Sequence, residues 1–312
     1  MTRQPHPQVQ MVLELLEDQS IPPMYALSVA DAREQMENFA AMQDGDSVGE
    51  IQDFDIQGPA GPLSVRLYRP DTAGPHPVLV FYHGGGFVLG GLDTHDALAR
   101  GLTNAAGCAV LSVDYRLAPE HPFPAAVEDA YAAVEWVDSY GDAVGIDPGR
   151  IAVGGDSAGG NLAAATTLTV QDRGGPDLTA QALLYPAVSS PVLGGFDSYE
   201  ENAEGYFLER QGMEWFSEKY LADTSDVRNE YFAPLLARDL SAVPLATIIT
   251  AGFDPLRDEG RAYADRLDEA GVDVDHHHYE EMIHGFASML GMVDAAEDAV
   301  EAIGSDLRAA FE

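Results

Sequence analysis

The sequence predicts an α/β fold built around a mostly parallel β-sheet. Over most of the chain, strand-like apolar segments alternate with helical segments of about 10–15 residues, a pattern typical of crossover connections between parallel strands. Several of the strands are nearly continuous apolar runs, as expected when helices cover both faces of a sheet. The length of 312 residues suits one large sheet domain.

The elements follow one another in a regular order. Two amphipathic helices, at residues 9–18 and 28–43, are separated by the helix-breaking run Ile-Pro-Pro at 21–23. A hairpin around residues 55–63 indicates that the sheet begins with antiparallel strands. The predicted strands are residues 51–57, 63–68, 77–83, 109–114, 150–154, 180–185, 245–250 and 274–279, and the helices between and after them are residues 93–106, 124–139, 157–172, 257–270 and from 293 onward.

Residues 187–242 interrupt this alternation. They contain one clear helix, at 211–220, and many aromatic residues. A connection this long in a compact domain is usually a lid or an inserted subdomain. We therefore expect a helical cap formed by residues 1–47 and 187–242, placed over a core formed by residues 48–186 and 243–312, although the aromatic residues could also pack a small separate core.

The charge of the chain is its most unusual bulk property. It has 52 Asp and Glu against 16 Lys and Arg, a formal net charge of −36, and Lys219 is the only lysine. Repulsion on this scale destabilises a compact state at low salt, and concentrated salt screens it. We expect a protein adapted to the salty cytoplasm of a halophile, with an ordinary acidic protein as the alternative. Such a surface should repel nucleic acid and anionic membranes.

Compartment signals indicate a cytoplasmic protein. Cys108 is the only cysteine, so no intramolecular disulfide can form. The first ten residues contain several Pro and Gln where a signal peptide would have its apolar region. No apolar run in the sequence is long enough to span a membrane.

A G-x-S-x-G motif at residues 155–159 gives the strongest indication of chemistry. It follows a predicted strand and precedes a predicted helix, so Ser157 should occupy a sharp turn with its hydroxyl exposed at the carboxyl edge of the sheet. This context favours a nucleophile over a purely structural glycine turn. The N–H of Ala158, the next residue, should help to bind an oxyanion.

The second motif is the HGGGF run at residues 83–87, directly after an apolar strand. Its glycines allow backbone N–H groups to approach a ligand oxygen, as stabilisation of an oxyanion requires. A phosphate-binding loop is the alternative, but the chain has no G-x-x-x-x-G-K-[ST] pattern.

With the runs DYRLAPEHPFPA at 114–125 and GGDSAGGN at 154–161, these motifs resemble the hormone-sensitive-lipase family of carboxylesterases over about residues 75–290. The resemblance implies an α/β-hydrolase core with an eight-stranded, mostly parallel sheet, a helical cap, and no metal or organic cofactor. It also implies oxyanion donors at Gly85 and Gly86 and short- to medium-chain esters as substrates. A homodimer and cis peptide bonds before Pro119 and Pro124 are further implications.

The base and the acid should follow Ser157 in the order acid, then histidine. His284 lies beyond the last predicted strand and is our candidate base. His276, His277 and His278 lie within that strand, where adjacent side chains alternate between faces, and we interpret them as surface imidazoles, not as a metal site. Asp254, directly after the strand at 245–250, is the candidate acid, and Asp258 is the alternative.

The sequence therefore predicts a serine esterase with the triad Ser157, Asp254 and His284. Asp156 cannot be the triad acid, because its side chain should project away from Ser157, and we expect it to stabilise the turn by hydrogen bonding. A ligand-binding receptor on the same scaffold is the principal alternative, but such a protein would usually have lost the nucleophile or the base. A nucleotide-binding enzyme is disfavoured because no G-x-G-x-x-G follows the first strand of a βαβ unit.

Overall fold

The computed structural model describes residues 3–18 and 21–312. Within these ranges one sheet contains eight strands. They are β1 (Glu50–Gly58), β2 (Gly61–Arg69), β3 (His76–Tyr82), β4 (Ala109–Val113), β5 (Ile146–Asp156), β6 (Ala180–Leu184), β7 (Leu245–Phe253) and β8 (Val274–Ile283).

The strand order is β1-β2-β4-β3-β5-β6-β7-β8. The β1–β2 hairpin is antiparallel and β2 pairs antiparallel with β4, whereas all the later pairings are parallel. The carboxyl ends of β3, β5, β7 and β8 therefore open at the same edge of the sheet. The predicted α/β-hydrolase architecture is confirmed.

Helices cover both faces of this sheet. The helices of the described residues are α1 (Pro7–Asp18), α2 (Val29–Ala40), α3 (Asp96–Ala106), α4 (Ala125–Tyr140), α5 (Ala158–Arg173), α6 (Ser198–Glu201), α7 (Arg210–Tyr220), α8 (Arg257–Glu269) and α9 (Asp294–Phe311). Short 3₁₀ turns occur at Met24–Ala26, Gly141–Val144, Thr224–Arg228, Pro234–Leu236 and Phe286–Ser288.

The sheet separates two apolar cores, one on each face, and strand β3 contributes side chains to both. Val78, Val80 and Tyr82 pack with α4, α5 and α8, whereas the alternate residues Leu79 and Phe81 pack with α3 and α9 on the opposite face. Both faces are apolar because successive side chains of a strand point in opposite directions and each face is covered by helices.

The boundaries differ from prediction mainly in two strands. β5 begins at Ile146, four residues earlier than predicted, and β8 continues to Ile283, four residues beyond the predicted end. Asp147-Pro148-Gly149 within β5 and the charged pair Glu280-Glu281 within β8 are weak strand formers, so pairing with neighbouring strands overrides local preference.

The N-terminal segment and residues 187–242 lie outside the sheet and contribute residues to one cavity. Residues 1, 2, 19 and 20 of the predicted cap range 1–47 lie outside the described residues. Among the described helices, none is both long and apolar enough to cross a bilayer.

Candidate active site

Ser157 occupies the turn between β5 and α5. Its φ of 55° and ψ of −115° lie outside the usual regions for a residue with a side chain. The turn is fixed by its backbone N–H, which donates to the carbonyl of Leu184 at 2.9 Å. The hydroxyl is thereby held above the carboxyl edge of the sheet.

The turn is possible because glycines flank it. A Cβ on Gly155 or on Gly159 would overlap the carbonyl oxygen of Tyr82 at the end of β3. The glycines of the motif are therefore required by a close contact with the neighbouring strand.

Residues at two other strand ends complete a chain of hydrogen bonds that begins at Ser157. His284 follows β8, and its Nε2 lies 2.9 Å from Ser157 Oγ. Asp254 follows β7, and its Oδ2 lies 2.8 Å from His284 Nδ1. In this arrangement the serine hydroxyl donates to Nε2 and the Nδ1–H donates to the carboxylate.

Asp254 is held rigidly at this position. Its side chain is fully buried, and Oδ1 accepts the N–H of Leu256 at 2.8 Å. Its backbone carbonyl accepts from Asn202 Nδ2 at 3.0 Å, a contact from residues 187–242. Each carboxylate oxygen thus accepts a hydrogen bond, so rotation of the carboxylate away from His284 would break both hydrogen bonds.

The glycine loop lies beside Ser157. The N–H of Gly84 donates to Asp156 Oδ1 at 2.8 Å and is therefore already used. Gly85 and Gly86 have φ values of 114° and 61°, which favour glycine. Within residues 3–18 and 21–312, the N–H groups of Gly85, Gly86 and Ala158 have no protein acceptor, so they remain available to a ligand.

A cavity of about 1090 Å³ opens above these residues. Its floor includes Ser157, His284 and the glycine loop. Its walls come from the N-terminal segment and from residues 187–217, and include the apolar side chains Leu13, Leu16, Met24, Leu27, Met36, Phe39, Phe207, Leu208, Met213 and Phe216. The arrangement suits an uncharged substrate with apolar groups.

Other residues considered from the sequence lie elsewhere. His276 and His278 both contact Thr250 Oγ1, at 2.8 and 2.9 Å, and His277 pairs with Asp306. Asp258 lies in the first turn of α8, where it pairs with Arg257. In the part of the chain that the structure describes, no group of three or more His, Cys, Asp or Glu side chains is placed to bind a metal ion.

Two buried titratable groups near the site were not singled out from the sequence. His95 contacts Asp156 and Gly84 beneath the glycine loop. Glu259 accepts the N–H groups of Val188 and Ser189 at 2.7 and 2.9 Å and also the hydroxyl of Tyr199. Burial raises the pKa of Glu259 to about 7, although these three hydrogen bonds act in the opposite direction. No local sequence pattern indicates the contacts of His95 or of Glu259, because the partners lie far apart in the chain.

Comparison with known proteins agrees with this geometry. A family model described as alpha/beta hydrolase fold matches residues 79–288. The carboxylic ester hydrolase LipN of Mycobacterium tuberculosis is 45% identical over 270 residues, covering 83% of this chain and 70% of its own length. An arylesterase of Saccharolobus solfataricus is 39% identical over 268 residues, covering 86% of each chain.

Solved structures of esterases superpose closely. An ester hydrolase from the metagenome of Lake Arreo, complexed with a bipyridine phosphonate derivative, has a TM-score of 0.94 at 40% identity and covers 98% of this chain and 99% of its own. The hyperthermophilic esterase of the archaeon Pyrobaculum calidifontis has the same TM-score and identity and covers 98% of both chains.

Proposed function

The chain belongs to the alpha/beta hydrolase family, and from this membership we propose that Ser157, His284 and Asp254 are its catalytic triad. The protein is a serine carboxylesterase, and its relatives bear the names carboxylic ester hydrolase, carboxylesterase and arylesterase. The main support for the proposed triad is a pair of short contacts of His284. Its Nε2 lies 2.9 Å from Ser157 Oγ, and its Nδ1 lies 2.8 Å from Asp254 Oδ2.

Acylation begins when Ser157 Oγ attacks the ester carbonyl carbon and His284 Nε2 accepts its proton. The carbonyl oxygen becomes an alkoxide, which Gly85, Gly86 and Ala158 stabilise through their free N–H groups. The imidazolium then protonates the leaving alkoxide, the ester C–O bond breaks, and an acyl-enzyme remains.

Deacylation uses the same groups with water as the nucleophile. His284 takes a proton from water as it attacks the acyl carbon, and then returns a proton to Ser157 Oγ as the carboxylic acid leaves. Asp254 accepts the Nδ1–H throughout, which fixes the tautomer of the ring and stabilises its positive charge.

Short- to medium-chain uncharged esters are the proposed substrates. The apolar walls of the cavity support this choice, as do the names of two relatives, an arylesterase and an ethyl acetate hydrolase of Pseudomonas putida. We assign the N-terminal segment 1–47 and residues 187–242 to a cap, because both line the cavity above Ser157.

The remaining proposals concern setting and assembly. The net charge of −36 supports a halophilic protein, and the single cysteine is compatible with a cytoplasmic one. β8 is an edge strand, and the edge of a sheet is a place where two copies can pair. A dimer mass by light scattering in high salt would support that assembly, and a monomer mass would exclude it.

The test of the proposed function is hydrolysis of p-nitrophenyl acetate and butyrate in concentrated KCl by wild type and Ser157→Ala. Wild type should turn over both esters, and the variant should lose at least 10³-fold in kcat. Equal turnover by both proteins would refute the proposed nucleophile. Binding of esters without turnover by wild type would favour the receptor alternative.

A further inference from the structure

Asp156 and His95 form a buried pair directly beneath the glycine loop. Their side chains are 4% and 3% exposed, and His95 Nε2 lies 3.3 Å from Asp156 Oδ1. The same oxygen accepts the N–H of Gly84 at 2.8 Å, and this N–H lies farther, at 3.2 Å, from His95 Nε2. Asp156 directly precedes the proposed nucleophile, and Gly84 directly precedes the two proposed oxyanion donors of the loop.

The hydrogen bonds around His95 determine where its protons are. Thr94 Oγ1 contacts the carbonyl oxygen of Gly91 at 2.9 Å and must donate its single hydrogen there. Its lone pairs therefore accept the Gly91 N–H and His95 Nδ1–H, each at 2.9 Å. Since Nδ1 carries a hydrogen, an unprotonated Nε2 would direct a lone pair at the Asp156 carboxylate.

Charge balance supports protonation of Nε2 as well. A buried carboxylate without a counter-charge is costly, and in the described part of the chain His95 is the only basic side chain paired with Asp156. Burial alone would raise the pKa of Asp156, but the charge and hydrogen bond of His95, together with the nearby His83 and the Gly84 N–H, bring this pKa below its ordinary value.

The neighbouring histidine does not supply this charge. His83 stacks on Tyr115 with ring centroids 4.2 Å apart, and its Nδ1 donates to the carbonyl of Gly84. Burial and the nearby His95 lower the pKa of His83 to about 3, so this ring is neutral.

We propose that His95 is a positioning residue whose positive charge neutralises Asp156, so that Asp156 can hold Gly84 in place without opposing the oxyanion. This inference rests on the proposed function, because the oxyanion is that of the Ser157 reaction. An uncompensated carboxylate beside the glycine loop would raise the energy of a developing alkoxide in a low-dielectric site.

A double-variant cycle separates charge neutralisation from simple packing. His95→Gln keeps an amide donor near the position of Nε2 but has no charge, and its kcat should fall roughly 10- to 100-fold with little change in KM. Asp156→Asn keeps an oxygen for the Gly84 N–H but removes the negative charge, so its kcat should fall less than that of His95→Gln. The double variant should recover to the level of Asp156→Asn, because no charge then remains to be neutralised.

A binding measurement on His95→Gln provides a second readout. A trifluoromethyl ketone adds to the active serine and forms an anionic adduct, whereas an alcohol product binds without charge. The affinity for the ketone should fall by the same factor as kcat, and the affinity for the alcohol should not change. His76→Gln is the matched control, because His76 is buried at the other end of β3, and its kcat should equal that of wild type.

Each result decides between the two explanations. Unchanged kcat in His95→Gln, or losses that multiply in the double variant, would overturn the inference, and so would failure of the double variant to fold in high KCl. Titration of the active sites with a phosphonate, run on every variant, distinguishes failure of this inference from failure of the proposed function. If wild type itself is not titrated, the proposed triad has failed, whereas a fully titrated wild type with a fully active His95→Gln contradicts only the role of His95.

Discussion

At the scale of single residues, the conformation of Ser157 is the feature on which the chemistry depends. A φ of 55° with ψ of −115° costs of order 1–3 kcal/mol for a residue with a side chain. The cost is tolerated because close packing of the elbow glycines against β3 fixes the turn. The strained turn places Oγ where His284 Nε2 can accept its proton.

Replacing Asp254 tests the role of the carboxylate. In Asp254→Asn the amide can present N–H to His284 Nδ1 and select the wrong tautomer, so kcat should fall about 10³- to 10⁴-fold. Steady-state kinetics with p-nitrophenyl butyrate measure this. Asp258→Asn is the control, because Asp258 pairs with Arg257 on α8, and its kcat should change less than about fivefold. Similar losses in both variants would show that Asp254 has no special role.

Glu259 should make the stability of the protein depend on pH. Its pKa is raised to about 7 in the folded protein, against about 4.3 in an unfolded chain. The folded state therefore binds the proton more tightly, and the contribution to stability is present at low pH and is lost as pH rises from about 4 to 7.

In Glu259→Gln this contribution disappears. The free energy of unfolding of wild type relative to the variant should decrease between pH 5 and pH 8, by at most about 3 kcal/mol. Urea unfolding in constant high KCl at both pH values gives the difference and cancels the general effect of the acidic surface. A constant difference would show that Glu259 ionises alike in both states.

At the scale of secondary-structure elements, the elbow requires close approach of α5 to β3. Gly159→Ala places a Cβ on the carbonyl of Tyr82, where the backbone cannot move without breaking β3, so the variant should lose more than about 4 kcal/mol or fail to fold. Gly107→Ala is the control. Gly107 ends α3 with φ 60°, but no atom lies within 4 Å of an added Cβ, so only about 1 kcal/mol should be lost. Equal losses in urea unfolding would contradict the contact.

The sequence predicted most of these elements because their signals are local. Apolar runs marked β3 and β4, and the G-x-S-x-G run marked the junction of β5 and α5. The extension of β8 to Ile283 was not predictable from its charged residues, since the pairing with β7 determines it. That extension brings His284 directly to the end of the strand.

Apart from the triad, which its motifs indicated, contacts between distant segments could not be predicted. Arg33 of α2 donates to the carbonyls of Val88 and Ala118, 55 and 85 residues away. Asn202 reaches the backbone of Asp254 across 52 residues. Such contacts depend on how complete elements pack, and single-sequence patterns do not contain that information.

At the scale of the whole molecule, the net charge of −36 dominates the energetics outside the core. Several Arg side chains are paired with carboxylates, among them Arg66 with Asp53 and Asp93, and Arg173 with Glu128. Exposed pairs contribute about 0–1 kcal/mol each. The chain has 52 acidic residues against 16 basic ones, so cations are too few to pair with every carboxylate, and repulsion among the carboxylates remains.

Stability should therefore increase with salt. The melting temperature is expected to rise between 0.1 and 3 M KCl, most steeply below 1 M, because the Debye length falls from about 10 Å at 0.1 M to about 3 Å at 1 M. Differential scanning calorimetry measures the rise. A series in sucrose at low salt is the control, since sucrose stabilises compact states without screening charge. A melting temperature that does not rise with KCl would exclude a salt-adapted surface.

The most direct test of the account is covalent labelling by a p-nitrophenyl phosphonate in high KCl. Wild type should release one equivalent of p-nitrophenol per chain, and the peptide that contains Ser157 should carry the phosphonyl group by mass spectrometry. Ser157→Ala should not be labelled. Labelling at another residue, or equal release from the variant, would contradict the assignment of Ser157 as the nucleophile.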